Sequence, residues 1–192
     1  MQSYKVKRAL SLGGVIAWGL VLLAACSRET LMEGFEQAKF DAWKSGWHHH
    51  LERVDLTLNT NSKYVSQGNA SLKCAIVTSG ERKDHYGGVK VPLNQSHLTF
   101  DMWLETPESV TSVWVYMYDE KGKHIAGWNR VLSRQPMKAG EKYTIRLSHG
   151  TSGSDFDFMG GTEGQPSWVD IFVLSEQENV PITFYIDNFR TR

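Results

Sequence analysis

Aromatic rings and hydrogen-bonding side chains occur together in the middle of the chain, in a combination that suits sugars. The C–H groups of a pyranose stack on an aromatic ring, while its hydroxyls need fixed polar partners. Groups of both kinds are supplied by Asp101, Trp103, Trp114, Tyr116, Trp128, Asn129 and Arg130. These residues indicate a carbohydrate-binding surface. The alternative is that the rings pack beneath a loop or against the opposite sheet.

In the segment 98–105, hydrophobic residues stand at even positions and more polar ones at odd positions, so a β-strand would place the two sets on opposite faces. Hydrophobic residues alternate with a more polar set, so we expect one face in the core and Asp101 and Trp103 on the other face. A tryptophan beside carboxylates is unusual on a polar face, because large exposed apolar groups tend to mark interaction sites. The predicted core residues are Leu98, Phe100, Met102 and Leu104.

The segment 112–119 is apolar on both faces, but the two faces differ in kind. The aliphatic face suits the core between two sheets, so Trp114 and Tyr116 on the other face must meet a covering loop, a partner or a ligand. Trp128 and Arg130 have the same parity in the next segment and would extend this platform. The predicted aliphatic core residues are Val113, Val115 and Met117.

Alternating segments recur along the chain and predict an all-β fold. No stretch after residue 40 keeps a 3.6-residue apolar period over about ten positions, so we expect no helix longer than a turn or two. About ten strands predict an antiparallel β-sandwich or jelly roll, and the glycine-rich segment 149–166 predicts a long surface loop. The predicted strands are 51–58, 70–77, 88–93, 98–105, 112–119, 141–148, 169–174 and 182–189.

Composition limits the classes of function. The chain has 192 residues, of which 41% are hydrophobic and 22% charged, as expected for one folded domain. Its 21 Lys and Arg balance 21 Asp and Glu, so it lacks the basic excess that a nucleic-acid-binding protein needs. We expect a monomer with no nucleic-acid partner.

The N-terminus resembles the signal of a bacterial lipoprotein. Lys5, Lys7 and Arg8 precede an uncharged run that is short for a spanning helix and ends in Leu-Ala-Ala-Cys at Cys26. That ending is similar to the lipobox, which implies lipidation of Cys26 and membrane attachment through the acyl chains. Because Ser27 follows, the resemblance implies the outer membrane of the cell envelope. We therefore expect a signal peptide over 1–25, a tether over 26–31 and the β domain over 32–192.

Four motifs in order resemble a known scaffold. They are Phe-Glu at 35–36, Gly-x-x-Ser-Leu-Lys at 68–73, Leu-Thr-Phe-Asp at 98–101 and Tyr-Ile-Asp-Asn-Phe at 185–189. Together they resemble the jelly-roll carbohydrate-binding modules of the galactose-binding-like superfamily, near families 4, 11 and 22. The resemblance covers about residues 32–192 and implies the scaffold more firmly than a ligand.

The same resemblance implies a structural Ca²⁺ between the first and last strands. It would place Glu36 and Asp187 as carboxylate ligands, with main-chain carbonyls from the turn 67–71. Oxygen ligands of this kind suit calcium, and such a site would close a long loop. The alternative is that both carboxylates cap strand ends.

Other candidate residues favour simpler interpretations. Of three consecutive histidines, only His48 and His50 would converge in a strand, so a solvated loop near the ligand groove is favoured over a metal site. Asp155 and Asp157 have the spacing of paired carboxylates, but a turn or an ion contact is favoured there. Cys74 alternates with core residues and is expected to be a buried thiol.

The sequence thus favours a non-catalytic lipoprotein, anchored in the cell envelope, that binds a polysaccharide or oligosaccharide. The main alternative is an envelope scaffold or protein-binding lipoprotein. A polysaccharide lyase or glycosidase is less favoured, because the Arg-rich and Gln-x-His strands that the lyase jelly rolls use are missing.

Overall fold

The fold is built from short strands, because alternating hydrophobic segments are separated by turn-forming residues. The structure, a computed structural model, describes residues 30–33, 35, 44–46, 48–80, 84–133, 136–151 and 157–192. Its strands are β1 (Thr30–Glu33), β2 (Lys44–Ser45), β3 (Leu51–Asn59), β4 (Ser71–Thr78), β5 (His85–Pro92), β6 (His97–Leu104), β7 (Ser112–Tyr118), β8 (His124–Leu132), β9 (Lys142–Ser148), β10 (Asp157–Phe158), β11 (Trp168–Ser175) and β12 (Pro181–Thr191).

Two antiparallel sheets pack face to face. Sheet A has the order β3-β4-β12-β6-β9, and β1 pairs with the C-terminal end of β12; sheet B has the order β10-β8-β7-β11-β5-β2. Ten of these strands have four residues or more, and the helical content of the described ranges is two 3₁₀ turns, Ser62–Tyr64 and Pro107–Ser109. The predicted all-β antiparallel sandwich is therefore confirmed.

The core lies between the two sheets and follows the predicted parity. From sheet A, Phe100 and Phe184 are fully buried, and from sheet B so are Val115 and Ile171. The residues expected in the core, the alternate positions 98–104 and 113–117, are all at most 1% exposed. Burial of these side chains stabilises the fold by roughly 1.5 to 3 kcal/mol each, as an upper bound.

Sheet A is covered on its outer side as well. The 3₁₀ turn Ser62–Tyr64 folds over β6 and β12, so that Tyr64 stacks on Tyr185 with ring centroids 3.9 Å apart and planes 6° apart. Trp103 joins these rings in a second hydrophobic cluster and is only 3% exposed. The outer face of sheet A is therefore closed at this point.

Two bulges interrupt the pairing of β8 with β7, and one of them changes which side chains enter the core. Val115 lies opposite Trp128 and Val113 lies opposite Leu132, so three residues of β8 face a single residue of β7. Arg130 within this bulge has φ 60°, a left-handed conformation that is uncommon for residues other than glycine. This bulge adds two residues and leaves the alternation of the strand unchanged. A second bulge at Ile125, between the pairs Met117–Ala126 and Tyr118–His124, adds one residue and reverses the alternation, so Trp128 is completely buried between the sheets.

The predicted signal peptide and Cys26 lie outside the described residues. Within the described ranges, no helix is long and apolar enough to cross a membrane.

Cys74 provides a test of the core. Burial, with a smaller contribution from Asp55, raises the pKa of the Cys74 thiol, and the side chain is inaccessible. Because the thiolate is the reactive form, we predict that Cys74 does not react with a thiol reagent in the native protein. In a Cys26→Ser variant Cys74 is the remaining thiol, so labelling should be negligible in buffer and complete in denaturant. Rapid labelling of the native variant would contradict the buried position.

Candidate functional site

The outer face of sheet B carries a continuous set of aromatic side chains. We call it the aromatic face. Antiparallel pairing places Phe172 of β11 opposite Trp114 of β7, and Trp168 opposite Tyr118. Its six rings, from β5, β7 and β11, are Tyr86, Trp114, Tyr116, Tyr118, Trp168 and Phe172.

The rings contact one another across the strands. The Phe172 centroid lies 5.6 Å from Tyr86, 5.9 Å from Trp114 and 5.5 Å from Tyr116. Tyr116 and Tyr118 are 6.5 Å apart, and the distance is 6.0 Å between Trp114 and Tyr116. These distances lie within the usual range for aromatic pairs, so the face forms one connected surface across β5, β11 and β7.

A pocket of about 500 Å³ opens at one end of the aromatic face. Trp168 and Tyr118 stack there with centroids 5.8 Å apart, and the ammonium of Lys90 lies 3.7 Å from the centroid of Trp168. Asp170 of β11 is only 5% exposed. In the sheet it lies opposite Lys90 of β5 on one side and Tyr116 of β7 on the other. The remaining lining residues are Ser45, Gly46 and Gly122.

Gly46 lets β2 approach the pocket closely. Its amide donates to the Gly88 carbonyl at 3.0 Å, and a Cβ at position 46 would lie 2.9 Å from the Val89 backbone and 3.1 Å from the Asp170 carboxylate. A larger residue would push this strand outward. The wall of the pocket next to Asp170 therefore depends on glycine.

The two tyrosines of the pocket region remain protonated at neutral pH. Burial, followed by the charges of Asp170 and the neighbouring tyrosines, raises the pKa of Tyr118 to about 12. Burial likewise raises the pKa of Tyr116, against the opposing effect of its hydrogen bond to Asn129 Oδ1 at 2.7 Å. The Tyr118 hydroxyl can therefore act as a donor, the Tyr116 hydroxyl already donates to Asn129, and Asp170 adds a carboxylate acceptor.

This arrangement combines flat apolar surfaces with charged and hydrogen-bonding groups in one concave site. Such a pocket can hold a ring-shaped ligand that has an apolar face and polar edges. The indole of Trp168 and the phenol of Tyr118 supply the flat surfaces. Lys90 and Asp170 supply a donor and an acceptor at the edges.

The structure brings together two of the predicted binding residues. Trp114 and Tyr116 share the aromatic face, as their parity predicted. The expectation that Trp103 and Trp128 extend the same open platform is wrong, because Trp103 is sealed on sheet A and Trp128 is in the core. Arg130 is exposed in the bulge of β8.

Asp101 lies on sheet A beside Trp103 and is part of a structural network. Its carboxylate accepts hydrogen bonds from Thr144 Oγ1 at 2.5 Å and Asn188 Nδ2 at 3.1 Å, and Lys142 Nζ is 3.9 Å away. Burial opposes ionisation, but the hydrogen bonds and the Lys142 charge outweigh it and lower the pKa of Asp101. Because these partners occupy its oxygens and the side chain is buried on sheet A, Asp101 lies apart from the aromatic face.

Sequence reasoning missed Lys90, Trp168 and Asp170 as site residues. The signal was present in β11, where aliphatic residues alternate with a second set that includes a tryptophan and a carboxylate. That second set has the parity of the aromatic face. The first set is fully buried, and it comprises Val169, Ile171 and Val173.

The carboxylate of Asp187 accepts hydrogen bonds from a distant turn. Its Oδ2 accepts from the backbone N–H groups of Ser66 at 2.7 Å and Gln67 at 2.9 Å, and its Oδ1 accepts from Asn188 N–H. The turn thus presents amide groups to Asp187, where the calcium expectation required carbonyls. Burial raises the pKa of Asp187, against the lowering effect of these hydrogen bonds.

These donors fit a carboxylate that clamps the turn. Glu36, the other expected calcium ligand, lies outside the described residues, and so does Asp155. Asp157 lies in β10, opposite Asn129 of β8. Calcium binding by Glu36 and Asp187 therefore stays a prediction of the sequence.

The hydrogen bonds at Asp187 give a direct test. We predict that Asp187→Ala lowers the free energy of unfolding by about 1 to 3 kcal/mol, because buried hydrogen-bond partners are lost. Asp119→Ala is the matched control, since Asp119 also accepts two backbone N–H groups but in an exposed local turn. Denaturant unfolding should show a smaller loss for the control.

Thermal melts with and without a calcium chelator separate the two roles of Asp187. The hydrogen-bonded geometry predicts equal melting temperatures. A lower melting temperature under chelation, abolished by Asp187→Ala, would instead support the calcium site, because a ligand bound to the folded state adds stability.

Comparison with known proteins finds relatives at the level of fold. No protein-family model and no curated protein sequence matches the chain. Among solved structures, one concerned with the promiscuous specificity of carbohydrate-binding modules of the β-sandwich superfamily matches 83% of this chain at a TM-score of 0.61 and 10% identity. The chain spans 60% of the length of that structure.

Two further matches cover nearly the whole of the other chain. A carbohydrate-binding module of Caldicellulosiruptor saccharolyticus, solved with mannohexaose, matches at a TM-score of 0.54 and 11% identity over 83% of this chain and 94% of the module. A module studied for specific mannan recognition matches at 0.50 and 18% identity over 85% and 97%. The protein thus shares the β-sandwich fold of carbohydrate-binding modules.

Proposed function

We propose that this protein binds a polysaccharide or oligosaccharide on the aromatic face of sheet B. The observation that carries the proposal is the pocket in which Trp168 and Tyr118 stack beside Lys90 and Asp170. Its volume of about 500 Å³ falls within the range typical of ligand sites. The β-sandwich shared with carbohydrate-binding modules supports this choice of ligand class.

The chemistry of the pocket matches a sugar on both of its surfaces. If a pyranose stacks on Trp168 or Tyr118, the C–H groups of the sugar and the face of the aromatic ring are both removed from water. Its hydroxyls would donate to Asp170 and accept from Lys90, whose long side chain can move off the indole while keeping its charge near the sugar. A longer glycan would continue along the aromatic face toward the half-buried rings of Tyr116 and Trp114.

Binding without catalysis fits the charges in the pocket. Glycoside hydrolysis commonly uses two carboxyl groups, one on each side of the scissile bond. Among the described residues that line the pocket, Asp170 is the one carboxylate. We therefore propose a non-catalytic role, in which the protein holds the glycan without cleaving it.

The ring pair at the pocket provides the main test of sugar binding. We predict that Trp168→Ala and Tyr118→Ala each weaken binding by about 1 to 3 kcal/mol, or roughly 5- to 150-fold, because each variant loses one stacking surface. Affinity gel electrophoresis against soluble polysaccharides, mannan included, measures the effect. Tyr143→Ala is the aromatic control, because Tyr143 lies on β9 of sheet A.

Asp170→Asn separates stacking from hydrogen bonding in the same assay. It keeps the shape of the side chain but removes a charged acceptor, so binding should weaken while both rings remain. If the unmodified protein migrates at the same rate across a broad glycan panel, sugar binding is wrong and the scaffold alternative is favoured. If Tyr143→Ala weakens binding as much as Trp168→Ala, the aromatic face is not the site.

We further propose that the protein is a monomeric lipoprotein anchored by Cys26 in the outer membrane. The lipobox-like Leu-Ala-Ala-Cys at the end of the uncharged run and the Ser27 that follows support this proposal. An acyl anchor would hold the sugar-binding domain at the envelope surface.

Lipidation is tested directly at Cys26. In a Gram-negative host we predict that the full chain incorporates labelled palmitate and fractionates with the outer membrane. Cys26→Ser should lose the label and leave the membrane fraction, because the acylated thiol is gone. If Cys74→Ser is labelled as strongly as the unmodified chain, Cys74 is not the lipidated residue. Labelling that survives Cys26→Ser would rule out an anchor at Cys26.

A further inference from the structure

A histidine and carboxylate cluster lies at the end of the aromatic face opposite the Trp168 pocket. It consists of His49, His50 and Asp84, and each residue offers a ligand atom that lies within 4.8 Å of the others. The His49 and His50 rings meet edge to face with centroids 3.7 Å apart. The sequence favoured a solvated loop here and allowed convergence for His48 and His50 alone, whereas the structure brings His49 and His50 together.

The backbone explains why consecutive histidines converge. His50 has φ 49°, so the chain turns into the left-handed region and does not alternate as a strand would. His48 is directed elsewhere, with its Nδ1 3.3 Å from the Gly46 carbonyl. Such a conformation is costly for a residue other than glycine, and the surrounding hydrogen bonds must hold it.

Backbone hydrogen bonds fix the cluster from three strand ends. His49 and Tyr86 form an antiparallel bridge, with N–H to O distances of 2.8 and 3.3 Å. The Ser79 N–H donates to the His50 carbonyl at 2.9 Å. The start of β3, the end of β4 and the start of β5 are therefore joined here, and the ligand atoms lie on a rigid frame.

A hydrogen bond also orients one imidazole. His49 Nδ1 is 3.4 Å from the Asp84 carbonyl, and its ring stacks on Tyr86 with centroids 5.1 Å apart. With Nδ1 as donor in this bond, Nε2 keeps the lone pair that a metal ion needs. This backbone partner is the usual second contact of a metal-binding histidine.

His85 lies close to the cluster on the inner side of β5. Its side chain is 1% exposed, its ring centroid is 6.4 Å from that of His50, and neither of its ring nitrogens has a hydrogen-bond partner among the described residues. Buried polar groups are nearly always partnered. This end of the sandwich thus brings several imidazoles together, and the hydrogen bonds of the described residues leave both ring nitrogens of His85 without a partner.

We propose that His49, His50 and Asp84 bind a divalent transition-metal ion, and that Zn²⁺ is the ion that fits these donors. Two imidazoles and one carboxylate form a donor set typical of zinc sites with an open fourth position for water. Tetrahedral ligands on zinc are about 3.4 Å apart, given bond lengths near 2.0 to 2.2 Å. Small side-chain rotations bring the three ligand atoms to that spacing, because two of the residues are only half-buried and Asp84 is exposed.

The site would act as a clamp between strand ends. Calcium prefers an all-oxygen set of six to eight ligands, so this cluster is distinct from the calcium site that the sequence resemblance implied. Zinc bound here would join β3 to β5 at the edge of sheet B. Since zinc would bind the folded chain, it should also raise the melting temperature.

Titration of the full chain, without a polyhistidine tag, tests the site. Zn²⁺ is followed by isothermal calorimetry, and Co²⁺ serves as a spectroscopic probe because tetrahedral Co²⁺ absorbs visible light. We expect one saturable site in the unmodified protein. His49→Ala, His50→Asn and Asp84→Asn should each weaken it by more than about tenfold, since even the outer partners of metal ligands are worth about 10- to 100-fold.

The design separates the cluster from a generic histidine-rich segment. His50→Asn is chosen because asparagine tolerates a positive φ and its shorter amide is a poor zinc ligand. His48→Ala is the matched control and should bind zinc like the unmodified protein. The zinc-dependent rise in melting temperature should disappear in Asp84→Asn and persist in His48→Ala.

Three results would overturn the proposal. One is a chain that shows no saturable zinc binding. The second is a His49→Ala variant that binds as tightly as the unmodified protein. The third is a loss in His48→Ala equal to that in His49→Ala, which would indicate unspecific binding along the histidine run. Far-UV circular dichroism confirms that each variant is folded.

Discussion

The antiparallel pairing of β7 with β11 determines the chemistry of both faces of sheet B. Each strand alternates aliphatic with aromatic or polar residues, and the register aligns the two patterns. Val115 therefore meets Ile171 on the core side, while Tyr118 meets Trp168 on the outer side. A shift of one residue would turn the aromatic set inward and expose the aliphatic set, so the large buried aliphatic surface holds the binding face in place.

Sheet A shows that the same alternation has a different outcome when a loop covers it. Trp103 and Tyr185 stand on the outer side of that sheet, but Tyr64 from a distant turn stacks over them. The turn is held because Asp187 accepts the amide hydrogens of Ser66 and Gln67, about 120 positions away in the chain. One buried carboxylate thus helps to hold the cover that closes sheet A at this point, and the pocket lies on sheet B.

Much of the fold could be predicted, because strand periodicity is a local property. The strands at 98–105 and 112–119, their core residues and the outward position of Trp114 and Tyr116 all follow from it. The positions of Trp103 and Trp128 could not be predicted, since one depends on a long-range cover and the other on a one-residue bulge at Ile125 in the pairing of β8 with β7. The pairing of His49 with His50 depends likewise on a positive φ that the sequence alone does not reveal.

Tyr86 connects the two ends of the aromatic face. Its ring stacks on His49 on one side and contacts Phe172 on the other, so the histidine cluster and the pocket belong to one surface. The residues that line the pocket and the residues that form the cluster are nevertheless different sets. Sugar binding at Trp168 and metal binding at His49 therefore need not depend on each other. The face has room for both because they lie at opposite ends of β5, where Lys90 borders the pocket and Tyr86 borders the cluster.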